Sequence, residues 1–161
     1  MDSLHNSMIE AEELLPFLRE RLAAGQTIRY LPFRGLSMLP MLRQGKDTVE
    51  IGPLPEKMKK YDLPVYQYPS GKVVMHRVVD VREDYYVCLG DNTRSYEKIR
   101  HEQMIAVVTA FKRGEKRISV EDPLYRIYCR LWVAVFPIRK VLRPIVRFPG
   151  RVIRYIRRRL S

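Results

Sequence analysis

Lys72-Val73-Val74-Met75-His76-Arg77-Val78-Val79-Asp80-Val81 reads as a β-strand: five of its ten residues are valine, whose branched Cβ favours the pleated backbone over the helix. Tyr68-Pro69-Ser70-Gly71 before it and Arg82-Glu83-Asp84 after it are turn sequences. Segments of the same kind recur on both sides: Thr27–Phe33, Thr48–Ile51, Pro64–Tyr68, Tyr85–Leu89, Gln103–Lys112 and Arg117–Val120. Seven short strands without intervening helices predict a mainly β, antiparallel domain over residues 27–121.

Two different segments flank it. Over residues 8–24, Met8, Ala11, Leu14, Leu15, Leu18 and Leu22 recur at three- and four-residue spacing, and Gly25 follows; this predicts an amphipathic helix within residues 1–26. After Asp122-Pro123 the chain turns basic and aromatic. Residues 124–161 hold 11 Lys/Arg and no Asp or Glu, against 19 basic and 18 acidic residues before them. Residues 122–161 are thus expected to form a basic amphipathic tail of short helices, interrupted at Pro137, Pro144 and Pro149-Gly150. The tail calls for an anionic partner. Its apolar content, with Tyr125, Tyr128, Trp132 and Phe136, favours a lipid headgroup zone, and no nucleic-acid partner is expected. Arg130, Trp132, Arg139 and Arg143 are the candidate membrane contacts. The longest charge-free run of the tail, Leu131 to Ile138, has 8 residues, where a spanning helix needs about 20. Acids at positions 2, 10, 12 and 13 speak against a secretory leader, and two cysteines, Cys88 and Cys129, build no disulfide framework. The expected location is the cytoplasm, peripheral at a membrane surface. No metal or cofactor is implied.

Phe33-Arg34-Gly35-Leu36-Ser37-Met38-Leu39-Pro40-Met41-Leu42 is the densest candidate for chemistry: a serine between a glycine and a proline, ringed by apolar residues. A nucleophilic hydroxyl needs such a fixed, exposed setting and a base. Of three histidines, His5 lies near the terminus, His101 in the polar Arg100-His101-Glu102, and His76 in mid-strand. His76 is either a satisfied core histidine or a positioned base available near neutral pH. Lys72 is the only lysine near that position. An orienting carboxylate is also needed, and Asp91, in Gly90-Asp91-Asn92-Thr93, and Glu97 are the candidates.

Taken in order, these pieces resemble the signal-peptidase-like serine peptidases, the group that includes the self-cleaving SOS-response repressors. Gly35, Ser37, Met38, Pro40 and Leu42 fit Gly-x-Ser-Met-x-Pro-x-Leu, His76-Arg77 fits the base position, and Gly90-Asp91-Asn92 the terminal motif. The following Gly-Asp-x-Val is altered to Gly45-Lys46-Asp47-Thr48-Val49. The resemblance covers about Arg29 to Lys112. A histidine rather than a lysine before the arginine is the mark of the Ser–His branch, that of the endoplasmic-reticulum and archaeal signal peptidases. It implies a serine endopeptidase with a signal-peptidase-like β fold, Ser37 as nucleophile, His76 as base, and Glu97 or Asp91 as the orienting acid. Glu97 stands where an aspartate is usual, and Asp91 is expected to brace the site through Arg77. The family often places a hydroxyl residue at the position of Gly35 to help the oxyanion hole; here the hole would rest on backbone N–H groups, chiefly that of Ser37. Met38, Leu39 and Met41 would line an apolar groove for an extended precursor or leader peptide. Two other readings stand beside this one: a non-catalytic, membrane-associated peptide-binding module that keeps the fold, and a self-cleaving regulator, for which the N-terminal segment is too short to hold a helix-turn-helix domain.

Overall fold

The computed structural model describes residues 11–32 and 34–141. It is mainly β, with antiparallel pairing throughout. Helix α1 spans Ala11–Ala23. Strands β1 (Ile28–Pro32), β2 (Asp47–Gly52), β3 (Pro64–Gln67), β4 (Val73–Met75), β5 (Arg77–Val81), β6 (Tyr85–Leu89), β7 (Glu97–Arg100), β8 (Met104–Arg113) and β9 (Lys116–Ser119) follow, and helix α2 spans Pro123–Ala134. One sheet runs β1-β2-β8-β3-β4, with β9 on β8; the second runs β5-β6-β7.

The stretch 72–81 is therefore two strands rather than one. It leaves the first sheet after Met75, opposite Val65, and enters the second at Arg77, opposite Leu89. His76 is the residue between them. β7 is a strand where the sequence predicts none: only Ile99 of Glu97-Lys98-Ile99-Arg100 is buried, so its apolar signal is a single residue.

The main core gathers Leu15, Leu18 and Leu22 of α1, Leu42, Val49, Ile51, Val108 and Phe111, and Tyr125 and Cys129 of α2. Full burial of one such aliphatic side chain contributes about 1.5–3 kcal/mol. Both helices thus share the core of the sheets. α2 starts sharply because Asp122 caps it: one carboxylate oxygen accepts from the N–H groups of Leu124 and Tyr125, and Pro123 has no N–H to leave orphaned. After a turn at Val135, residues 136–141 are helical again. A second cluster, with Tyr66, Val78, Tyr86, Cys88 and Ile99, fills the space between the sheets. Arg143 and the rest of the tail, Met8 and Phe33 lie outside the described residues. Among the described residues no helix is long and apolar enough to cross a membrane.

Candidate active site

His76 is 4% exposed. Its Nδ1 lies 3.0 Å from Glu97 Oε2 on β7 and 3.0 Å from the Tyr66 hydroxyl on β3. The Tyr66 hydroxyl donates to the same Glu97 oxygen at 2.6 Å. An ionised carboxylate only accepts, and the Tyr66 proton is already directed at it, so Nδ1 carries the imidazole proton. In the neutral ring Nε2 is then the acceptor. Burial works against ionisation of Glu97, but hydrogen bonds from Tyr66 and Tyr68, with His76, outweigh it and hold the carboxyl below the usual glutamate range. Burial pushes the Tyr66 hydroxyl well above the ordinary tyrosine range, so it remains a donor.

The other edge of the ring faces Gly90. A Cβ there would lie 3.0 Å from both His76 Nε2 and Cδ2, and 2.6 Å from Thr93 Cγ2, so this position demands glycine for room. Two residues on, the turn grips the Ser37 segment. The Asn92 N–H donates to the Ser37 carbonyl at 2.6 Å, and Asn92 Nδ2 to the Leu36 carbonyl at 2.8 Å. Ser37 is half-buried in the turn of residues 36–41. One short turn thus touches the imidazole and holds the serine backbone. No hydrogen bond joins Ser37 to His76 themselves in this structure; catalytic hydrogen bonds are often long without substrate and tighten when it binds.

Several expected roles fall elsewhere. The structure places Glu97, not Asp91, on His76. Asp91 is 3% exposed and pairs with Arg77: Nε to Oδ1 at 3.0 Å and Nη2 to Oδ2 at 2.8 Å. Arg77 has no exposed surface, and its remaining donors reach Met41 Sδ, the Tyr61 carbonyl, the Tyr125 hydroxyl and Cys129 Sγ. Burial opposes the charge, and Asp91 outweighs it, so the guanidinium stays protonated. Met38 is a core side chain, 2% exposed; Met41 is 3% exposed and lines a cleft away from Ser37; Leu39 is half-buried and Leu36 exposed. Gly35 adopts a φ of +110°, which suits glycine, but its N–H is engaged by Gln44 Oε1 at 2.8 Å. It is not a ready oxyanion donor.

Trp132 and Arg139 point inward as well. Trp132 Nε1 and Arg139 Nη1 both donate to the Asp91 carbonyl, at 3.1 and 2.8 Å, and the Arg139 guanidinium lies 3.8 Å over the Trp132 ring. Tyr128 donates to Asp91 Oδ2 at 3.1 Å. Arg130 is exposed. Tyr66 and Tyr68 around Glu97 are residues not singled out from the sequence; Asn92, named there only as part of the Gly90-Asp91-Asn92 motif, holds the Ser37 backbone, and Tyr125 and Tyr128, expected at lipid, surround the Arg77–Asp91 pair. Tyr66 and Tyr68, two apart on one strand face, were the available signal.

A cleft of about 180 Å3, walled by Pro40, Met41, Phe111, Tyr125 and Tyr128 among others, includes neither Ser37 nor His76. Among the described residues no cluster of His, Cys, Asp and Glu is suited to a metal ion. Comparison with known protein families, curated proteins and solved structures finds no match.

Proposed function

We propose that the protein is a serine endopeptidase of the signal-peptidase-like type that cleaves precursor or leader peptides at a membrane surface. The observation that carries this reading is the polarised imidazole. Nδ1 of His76 is tied to Glu97, and Nε2 is turned to the Gly90–Asn92 turn that also holds the Ser37 backbone.

In the mechanism, Ser37 Oγ attacks the scissile carbonyl while His76 Nε2 takes its proton. The Ser37 N–H stabilises the oxyanion. Glu97 stabilises the imidazolium and keeps the ring oriented; Tyr66 and Tyr68 keep Glu97 ionised. His76 then gives the proton to the leaving amine, and water, deprotonated by the same nitrogen, releases the acyl group from Ser37. Asp91 braces the turn through Arg77. An extended substrate has a backbone edge to pair with: β4 ends its sheet and runs directly into His76. The basic tail brings the enzyme to anionic lipid.

The second reading is a peptide-binding module without catalysis, and the missing Ser37–His76 hydrogen bond favours it. Incubating wild type and Ser37→Ala with a diverse peptide mixture at neutral pH, with and without anionic vesicles, separates the two. New peptide termini made only by the wild type support the peptidase. Identical mass spectra from two folded proteins, with vesicles present, support the module.

A further inference from the structure

α2 has two faces, and the Asp91 turn uses one of them. Tyr125, Tyr128, Cys129 and Trp132 face the body, and Arg139 joins them from the following turns. The neighbouring face of α2 carries Leu124, Ile127 and Leu131, which are 74%, 51% and 61% exposed. At 3.6 residues per turn these three fall within about 60° of the helix circumference. Val135 and Ile138, just beyond the end of α2, are 36% and 60% exposed. Apolar residues scattered singly over a surface mean little, whereas a stripe of three with two more beside its end marks a contact surface.

Charge selects the partner. Arg130 is exposed about 60° from the edge of the stripe, and no carboxylate occurs from Leu124 to Ser161, a stretch with 11 Lys/Arg. A second copy of this stretch would bring like charges together. An apolar stripe on a segment that carries only cations matches the boundary between headgroups and acyl chains of an anionic bilayer.

We propose that α2 docks on an anionic lipid surface through Leu124, Ile127, Leu131, Val135 and Ile138, with Arg130 at the flank, while Trp132 and Arg139 stay on the Asp91 turn. The lipid contact is thereby moved one face around the helix from Trp132 and Arg139. The inference rests on the peptidase reading for its consequence alone, that substrates are cut beside the membrane; the docking is independent of it.

The test is co-sedimentation of the full chain with vesicles of phosphatidylglycerol and phosphatidylcholine, and with phosphatidylcholine alone. Wild type and Ser37→Ala bind the anionic vesicles equally, and neutral vesicles at least about tenfold more weakly. The double variant Leu131→Asp/Ile138→Asp, both at exposed positions, keeps its circular dichroism and loses at least about tenfold in binding. Trp132 is the single tryptophan, so its emission reports the orientation: brominated acyl chains quench it only weakly. Equal binding by the double variant overturns the proposal, as does strong quenching of Trp132. A wild-type dimer that Leu131→Asp makes monomeric also overturns it, because a second copy then covers the stripe. A protein that cuts peptides but ignores vesicles refutes the docking alone; one that binds vesicles but cuts nothing refutes the peptidase reading alone.

Discussion

Glu97 Oε2 stands 3.0 Å from His76 Nδ1, and this contact decides which ring nitrogen is left to face Gly90. Glu97→Gln keeps the shape but offers an amide that stabilises no imidazolium and accommodates the opposite tautomer. We expect kcat for peptide cleavage to fall about a thousandfold or more, with KM little changed and the circular dichroism retained. Steady-state kinetics against wild type and Ser37→Ala check it; a loss confined to KM contradicts the role.

The same carboxyl links stability to acidity. Its hydrogen bonds hold it below the usual glutamate range in the folded protein. The stability it contributes is therefore complete above the unfolded value of about 4.3 and is lost as pH falls through the lower folded value. Thermal melts of wild type and Glu97→Gln taken below about pH 5 should show a gap that closes at the acidic end. A gap that persists once the carboxyl is protonated contradicts the assignment.

Tyr66→Phe removes the hydroxyl that donates to Glu97 at 2.6 Å from a fully buried ring. A hydrogen bond to a charged group contributes about 1.5–3 kcal/mol, and denaturant unfolding should register a loss of that size. With this donor gone, the gap in the acid melts should close at a higher pH than in the Tyr66 protein.

Gly90→Ala puts a methyl group 3.0 Å from the His76 ring and 2.6 Å from Thr93 Cγ2. The imidazole or the turn must move. Overpacking of this kind costs about 1–3 kcal/mol, and a displacement near 1 Å costs about a hundredfold in rate. Activity is expected to fall much further than stability. A fully active Gly90→Ala shows that the ring edge at Gly90 is not the working one.

Asp91→Ala leaves the buried Arg77 charge without its carboxylate. Removal of one partner of a buried pair typically costs about 3–5 kcal/mol. Asp91→Asn, which keeps an acceptor for Arg77 and Tyr128, should cost less. Chemical denaturation of both variants checks the order, and equal losses would assign the whole effect to the missing charge.

The strands were legible where their apolar signal is dense. Tyr85–Leu89 has the same limits in sequence and structure, and Asp122-Pro123 marks where α2 begins. What could not be read was the change of sheet at His76, because valines on both sides give one uninterrupted β signal whichever sheet they join. β7 escaped for the opposite reason: one buried isoleucine among Glu97, Lys98 and Arg100 carries no alternation. The choice between Glu97 and Asp91 depended on both features. Glu97 reaches the histidine only because β7 pairs with β6, which pairs with β5. The orientation of Trp132 and Arg139 was equally hidden, since residues that suit a lipid headgroup also suit a buried backbone carbonyl.

The Asp91 turn takes its anchors from both sides of the chain order. Arg77 and the Ser37 segment precede it, whereas Tyr128, Trp132 and Arg139 are among the last described residues. On a ribosome, every strand emerges before those three anchors do. The turn that faces His76 is therefore complete only when the chain through Arg139 has left the exit tunnel, so a nascent chain that has exposed β1 to β9 alone still lacks three of its anchors.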